Sequence, residues 1–119
     1  MENMRIHLGG VEQIPLGQGR CFMIGVHEVA VFRGRDGRLW AIENRCPHRG
    51  GPLAEGIIGR DQVVCPLHGH KFDLTTGQGS EARECVNVFK VWEENQKIVI
   101  LFSLPEAVIE NAFIVEEAV

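Results

Sequence analysis

Twice, between runs of apolar and β-branched residues, the chain breaks into a short stretch of Cys, Pro, His and Gly: Cys46-Pro-His48 and Cys65-Pro-Leu-His68. This pair of interruptions limits the possible folds more than any other feature, because two distant loops must converge if their side chains are to act together. Each stretch carries one soft thiolate and one imidazole, and 16 residues lie between His48 and Cys65. Thiolate with imidazole selects zinc, copper or iron–sulfur over magnesium or calcium. A Pro after each Cys keeps that Cys out of helical geometry and holds the loop extended. The neighbouring glycines, Gly50, Gly51, Gly56, Gly59 and Gly69, let backbone approach closely and are expected to turn N–H groups toward the site. On residue types alone, a tetrahedral Cys₂His₂ zinc site and an iron–sulfur centre both remain open.

The sequence on either side reads as strands. Cys21-Phe-Met-Ile-Gly-Val26 and Glu28-Val-Ala-Val-Phe-Arg33 are short and rich in β-branched and aromatic residues. Gly34-Arg-Asp-Gly37 supplies a hairpin turn into Arg38-Leu-Trp-Ala-Ile-Glu43, where polar and apolar residues nearly alternate. An edge strand is expected at Arg5-Ile-His-Leu8. Residues 44–59 read as loop, then come brief strands at 62–64 and 71–73, with a second loop over 65–80. Val86–Trp92 and Lys97–Phe102 form a final hairpin. Ser103-Leu-Pro-Glu106 reads as the start of a short C-terminal helix, with Ser103 as cap and Pro105 in the first turn. The expected fold is all-β and antiparallel, with one domain over 1–102, Cys- and His-bearing loops at about 44–59 and 65–80, and a C-terminal extension over 103–119.

Composition narrows the function classes. A chain of 119 residues with 45% hydrophobic content suits one domain with a real core. Its four Cys fall well short of a disulfide scaffold. The net charge of −4 argues against nucleic acid as a partner. No apolar run approaches the ~20 residues that cross a bilayer, and the first residues do not read as a signal peptide, so a cytoplasmic protein without membrane contact is expected. The carboxylates show no spacing suited to paired acid–base chemistry, so no catalytic residue is expected. Cys21 and Cys85 lie in apolar stretches and are expected to be buried, reduced thiols.

Cys46-x-His48, the 16-residue spacer and Cys65-x-x-His68 resemble the motif of the Rieske [2Fe-2S] family, in which two Cys hold one iron and two His the other. The flanks, Arg45-Cys-Pro-His-Arg-Gly-Gly-Pro-Leu53 and Val64-Cys-Pro-Leu-His-Gly-His-Lys-Phe-Asp73, extend the likeness. It implies a Rieske-like β-sandwich with a two-loop cluster-binding subdomain, a [2Fe-2S] cofactor, and Cys46, His48, Cys65 and His68 as iron ligands, with the imidazoles near solvent. Zinc modules start from Cys pairs rather than Cys-x-His, which disfavours the zinc reading. Arg49, Leu67 and His70 are candidates for contacts around the cluster or with a docking partner.

Two neutral imidazoles in place of thiolates remove two negative charges. At an effective dielectric near 20 and about 4 Å, each is worth roughly 4 kcal/mol, about 8 in total. For one electron this is a few hundred millivolts. Within the family, high-potential members carry a further Cys in each loop, joined as a disulfide, and a Ser and a Tyr that donate hydrogen bonds to the cluster. The matching positions here are Gly51, Leu67, His70 and Phe72. Fewer donors stabilise the reduced cluster less, so the expected potential lies below about 0 mV.

The likeness also implies a function. The chain has no room for the second, mononuclear-iron domain of a terminal oxygenase, so it is expected to carry electrons without a substrate site of its own. The motif is most similar to the small subunit of assimilatory NAD(P)H nitrite reductases, where a large flavin- and sirohaem-bearing subunit would be the partner. The alternative is a free Rieske ferredoxin fed by a flavoprotein reductase and serving a ring-hydroxylating dioxygenase. A zinc-binding or redox-sensing module is a remote third reading.

Overall fold

The computed structural model describes residues 2–46, 50–67, 69–81, 84–104 and 115–117. Among them there is no α-helix. In chain order they form β1 (Glu2–Gly10), a 3₁₀ turn (Val11–Gln13), β2 (Gln18–Ile24), β3 (His27–Arg33) and β4 (Leu39–Glu43). A second 3₁₀ turn (Leu53–Glu55) then precedes β5 (Ile57–Gly59), β6 (Gln62–Val64) and β7 (Lys71–Asp73). β8 (Val88–Glu94), β9 (Lys97–Leu104) and β10 (Val115–Glu117) complete the order. One sheet runs β1-β9-β8-β4-β3-β2-β10 and a small one β5-β6-β7, and every pairing is antiparallel.

The continuous apolar run of β3 explains the layering. Val29, Ala30, Val31 and Phe32 are all fully buried, which a strand with one solvated face cannot achieve. Successive side chains point to opposite faces, and here both faces meet a core. Val29 and Val31 pack with Phe22, Ile24, Ile98 and Ile100 inside the curl of the large sheet. Ala30 and Phe32 pack with Leu53, Val63, Phe72, Leu74 and both loop cysteines. β3 is therefore the wall shared by the sheet's own core and by the subdomain that carries the site.

The strands expected from sequence recur within a few residues at each end. The β8–β9 hairpin closes through Asn95 and Gln96, both at positive φ (52° and 65°), with Glu94 opposite Lys97. This is the mirror-image turn geometry that fits the twist of a two-residue hairpin.

Three expectations change. First, the stretch 44–59 is not loop throughout, because Ile57–Gly59 pairs with β6. Its Ile57 is exposed and Ile58 half-buried, so no run of buried residues announces this strand. Second, Ser103 and Leu104 do not begin a helix. They finish β9, opposite Asn3 and Glu2 of a β1 that is longer than expected. The Ile98, Ile100, Phe102 alternation continues into the ladder, and cross-strand pairing overrides the local capping signal. Residues 105–114, where the rest of that helix was expected, lie outside the described residues, while Val115–Glu117 pairs onto β2 opposite Ile24–Phe22. Third, Cys85 is exposed rather than buried, whereas Cys21 is buried as expected. Cys85 faces Gln78 in a single bridge at the rim of the small sheet, where no layer covers it.

Phe32 contacts the second core from the shared wall, so its truncation tests this layering. Phe32→Ala is expected to lower unfolding free energy in urea by about 3–5 kcal/mol, as large aromatic truncations in cores do.

Candidate metal centre

The two Cys-bearing loops are built the same way. The first is closed at its base by an antiparallel bridge between Arg45 and Pro52, the second by pairing of Val64 with Lys71. Within the first, the Cys46 N–H donates to the Gly51 carbonyl (2.9 Å) and the Gly50 N–H to the Cys46 carbonyl (2.6 Å). Within the second, the Cys65 N–H donates to the His70 carbonyl (2.7 Å) and the Gly69 N–H to the Cys65 carbonyl (3.1 Å). Gly50 and Gly69 stand at φ 71° and 74°, a conformation open to glycine and strained for other residues. The spacing of Cys to Gly is thus the spacing of one repeated turn. It also corrects one expectation: the N–H groups of Gly50 and Gly69 face their own loop's carbonyl rather than the site.

Both thiols are buried, Cys46 at 2% and Cys65 at 3% exposure, and neither forms a disulfide. The loops touch each other at Gly51. A β-carbon there would come within 3.0 Å of Cys65 Sγ and of Leu67 Cδ1. Gly51 and Leu67 are the two positions that carry a disulfide in high-potential relatives, and here an isobutyl side chain leans on a bare backbone instead. Leu67 is 54% exposed, an apolar side chain at the surface that meets Gly51 where Cys65 does. His48, Arg49 and His68 lie outside the described residues, so the structure locates one expected ligand in each loop.

His70 closes the second loop, and its ring is tied down. Nδ1 lies 2.8 Å from Glu84 Oε1, with both side chains largely buried (17% and 15% exposed). That nitrogen is therefore taken up by Glu84 and does not serve the cluster as a donor. Phe72, the other position where a donor would stand, is fully buried in the second core. Phe72 thus offers the site no donor, and of the His70 ring Nδ1 is held by Glu84.

Sequence reasoning missed two residues. Glu84 gives no local signal, being 14 residues from the histidine it holds. Asn44 did leave one. It follows the end of β4 two residues after Ile42, which packs in the second core, and a polar residue continuing an apolar alternation needs partners if it is buried. It is the only buried polar residue described.

The arrangement fits an iron–sulfur cluster. It offers two buried cysteines, neither in a disulfide, on two turns of the same build, with a glycine where any side chain would press on the Cys65 sulfur. The Rieske [2Fe-2S] domain family matches residues 5–99 of the chain. The chain belongs to this family. Its cofactor is accordingly a Rieske-type [2Fe-2S] cluster.

Among relatives, the Rieske domain here is 32% identical over 92 residues to mouse "Apoptosis-inducing factor 3", covering 76% of this chain but only 15% of that much longer protein. A solved structure named as a candidate NADH-dependent nitrite reductase small subunit from Mycobacterium tuberculosis superposes with a TM-score of 0.79 at 21% identity, over 88% of this chain and all of that one. The ferredoxin of carbazole 1,9a-dioxygenase from Nocardioides aromaticivorans superposes with a TM-score of 0.73 at 26% identity, over 82% of this chain and 96% of that one.

Two outcomes follow from this Rieske site. Gly51→Ala is expected to impair cluster incorporation, read as iron and acid-labile sulfide per chain. Gly59→Ala, where a β-carbon meets nothing within 4 Å, should leave it intact. The Cys21 thiol is pushed up to about 11, first by burial and then by the Glu28 carboxylate beside it. Because only the unfolded chain ionises this thiol near its ordinary value, its contribution to stability declines from about pH 9 upward. With native holoprotein at pH 8, iodoacetamide mapping by mass spectrometry should find Cys85 labelled and Cys21 untouched.

Proposed function

We propose that Cys46, His48, Cys65 and His68 hold the cluster, and that the chain works as a ferredoxin-type carrier between a flavoprotein reductase and a terminal oxygenase. When bound, the cluster supplies reversible one-electron chemistry. The protein's own part is positional. Cys46 and Cys65 present thiolates from sites closed to water, which keeps the ligand sulfurs from hydrolysis and exchange. The repeated turns fix the backbone of each loop at its cysteine. Leu67 gives the second loop an exposed apolar contact surface, and Arg49, next in sequence to His48, adds a positive charge for an acidic partner.

The observation that carries the ferredoxin reading is the whole-length likeness to the carbazole dioxygenase ferredoxin, nearly all of which this one domain spans. The nitrite reductase small subunit is the second reading, favoured by the more extensive overlap of fold. At 21% identity that overlap supports the architecture rather than the pathway, so it stands behind the first.

Anaerobic titration of holoprotein, followed by visible absorption and electron paramagnetic resonance, should show one electron taken up per cluster at a midpoint below about 0 mV. A midpoint above about +100 mV would contradict the donor-poor site. Cys65→Ser and His68→Ala should each lose iron and colour; retention of the cluster in either would remove that residue from the ligand set. Reduction of the isolated monomer by NADH through a dioxygenase-class flavoprotein reductase supports the carrier. A stable complex with a sirohaem protein, recovered from the native source, would replace it with the nitrite reductase reading.

A further inference from the structure

We infer that Asn44, held by Glu28, is the positioning residue for the first cluster loop. All four polar groups of Asn44 are engaged, and they join three segments. Its N–H donates to the Glu28 carbonyl (3.1 Å) and its carbonyl accepts the Leu53 N–H (2.9 Å). Its side-chain Oδ1 accepts the Ala54 N–H (2.7 Å), and Nδ2 donates to Glu28 Oε1 (3.3 Å). Leu53 and Ala54 lie just beyond the loop that begins at Cys46, so one residue clasps both ends of that loop to β3. At 5% exposure Asn44 is buried, and without its side chain the buried Ala54 N–H has no replacement acceptor among these contacts.

Glu28 fixes which way the amide points. Its carboxylate only accepts, so Nδ2 must face it, and Oδ1 is left toward Ala54. Glu28 Oε1 also lies 3.9 Å from the Cys21 thiol. Cys21, Glu28, Asn44, Pro52 and Ala54 together line an open cleft of about 330 Å³. If the clasp opens, Cys46, two residues beyond Asn44, loses the frame that holds its loop in place. Groups that orient a metal ligand without touching the metal commonly change its retention by 10–100-fold.

This rests on Cys46 and His48 being ligands, so Cys46→Ser and His48→Ala are made alongside. If either retains the cluster, the ligand assignment fails whatever Asn44 does. The test uses holoprotein variants Asn44→Ala, Asn44→Asp and the double variant N44D/E28Q. Asn44→Asp keeps an acceptor for Ala54 but sets two carboxylates against each other, and Glu28→Gln restores a donor–acceptor pair with the roles exchanged. Three quantities are read: the rate of bleaching under a chelator, the line shape of the reduced cluster in electron paramagnetic resonance, and the melting temperature of the apoprotein.

Asn44→Ala and Asn44→Asp should lose the cluster about tenfold faster or more, with an altered line shape, and N44D/E28Q should recover much of the wild-type rate. Wild-type bleaching and line shape in Asn44→Ala would overturn the inference. So would bleaching rates that merely track the apoprotein melting temperature with the line shape unchanged, since Asn44 would then support the fold alone. Failure of N44D/E28Q to improve on Asn44→Asp would remove Glu28 from the role.

Discussion

Everything at the site depends on a strand whose middle, from Val29 to Phe32, has no solvent face. Each side chain from Val29 to Phe32 is buried, so β3 must be covered on both sides, and the second cover is the small sheet with its two loops. A buried Phe is worth on the order of 1.5–3 kcal/mol relative to exposure. Phe32, Phe72 and Leu53 meeting across this layer therefore hold the subdomain down without any covalent link. The loops need no disulfide staple because hydrophobic burial beneath them already fixes their bases.

Onto that foundation the chain places one turn twice. The hydrogen bonds of Cys46 with Gly50 and Gly51 match those of Cys65 with Gly69 and His70, and the same pattern recurs a third time at Asp73, Gly77 and Gln78, where no ligand is present. The turn is a general device of this chain for closing a narrow loop through a glycine at positive φ. What distinguishes the two turns proposed to hold the cluster is the first residue, Cys rather than Asp, and its burial in the second core.

The clamps around the loops are polar and unequal. Asn44 ties the first loop through four hydrogen bonds to β3 and the following 3₁₀ turn, while His70 and Glu84 tie the second to the segment that follows β7. Buried polar groups of this kind rigidify only when every member is satisfied. Both clamps lie beside a ligand position rather than at it, which suits residues that orient a centre instead of forming it.

The sequence by itself determined the chemistry and most of the strands. Cys46 with His48 and Cys65 with His68 offer a thiolate and an imidazole at short local spacing, which is why the metal chemistry proposed for them was legible in the sequence. The alternation and β-branched runs specify strands because side-chain period is a local property. Tertiary structure decided the rest. Ser103 could not be read correctly because its helix-capping signal competes with pairing to Asn3, a residue a hundred positions away. Cys85 was misread because apolar neighbours do not reveal whether a layer will cover them. Ile57–Gly59 became a strand only through its pairing with β6. The two clamps emerged last for the same reason: a hydrogen bond between residues 14 or 16 apart has no period, and only the folded chain brings its two ends together.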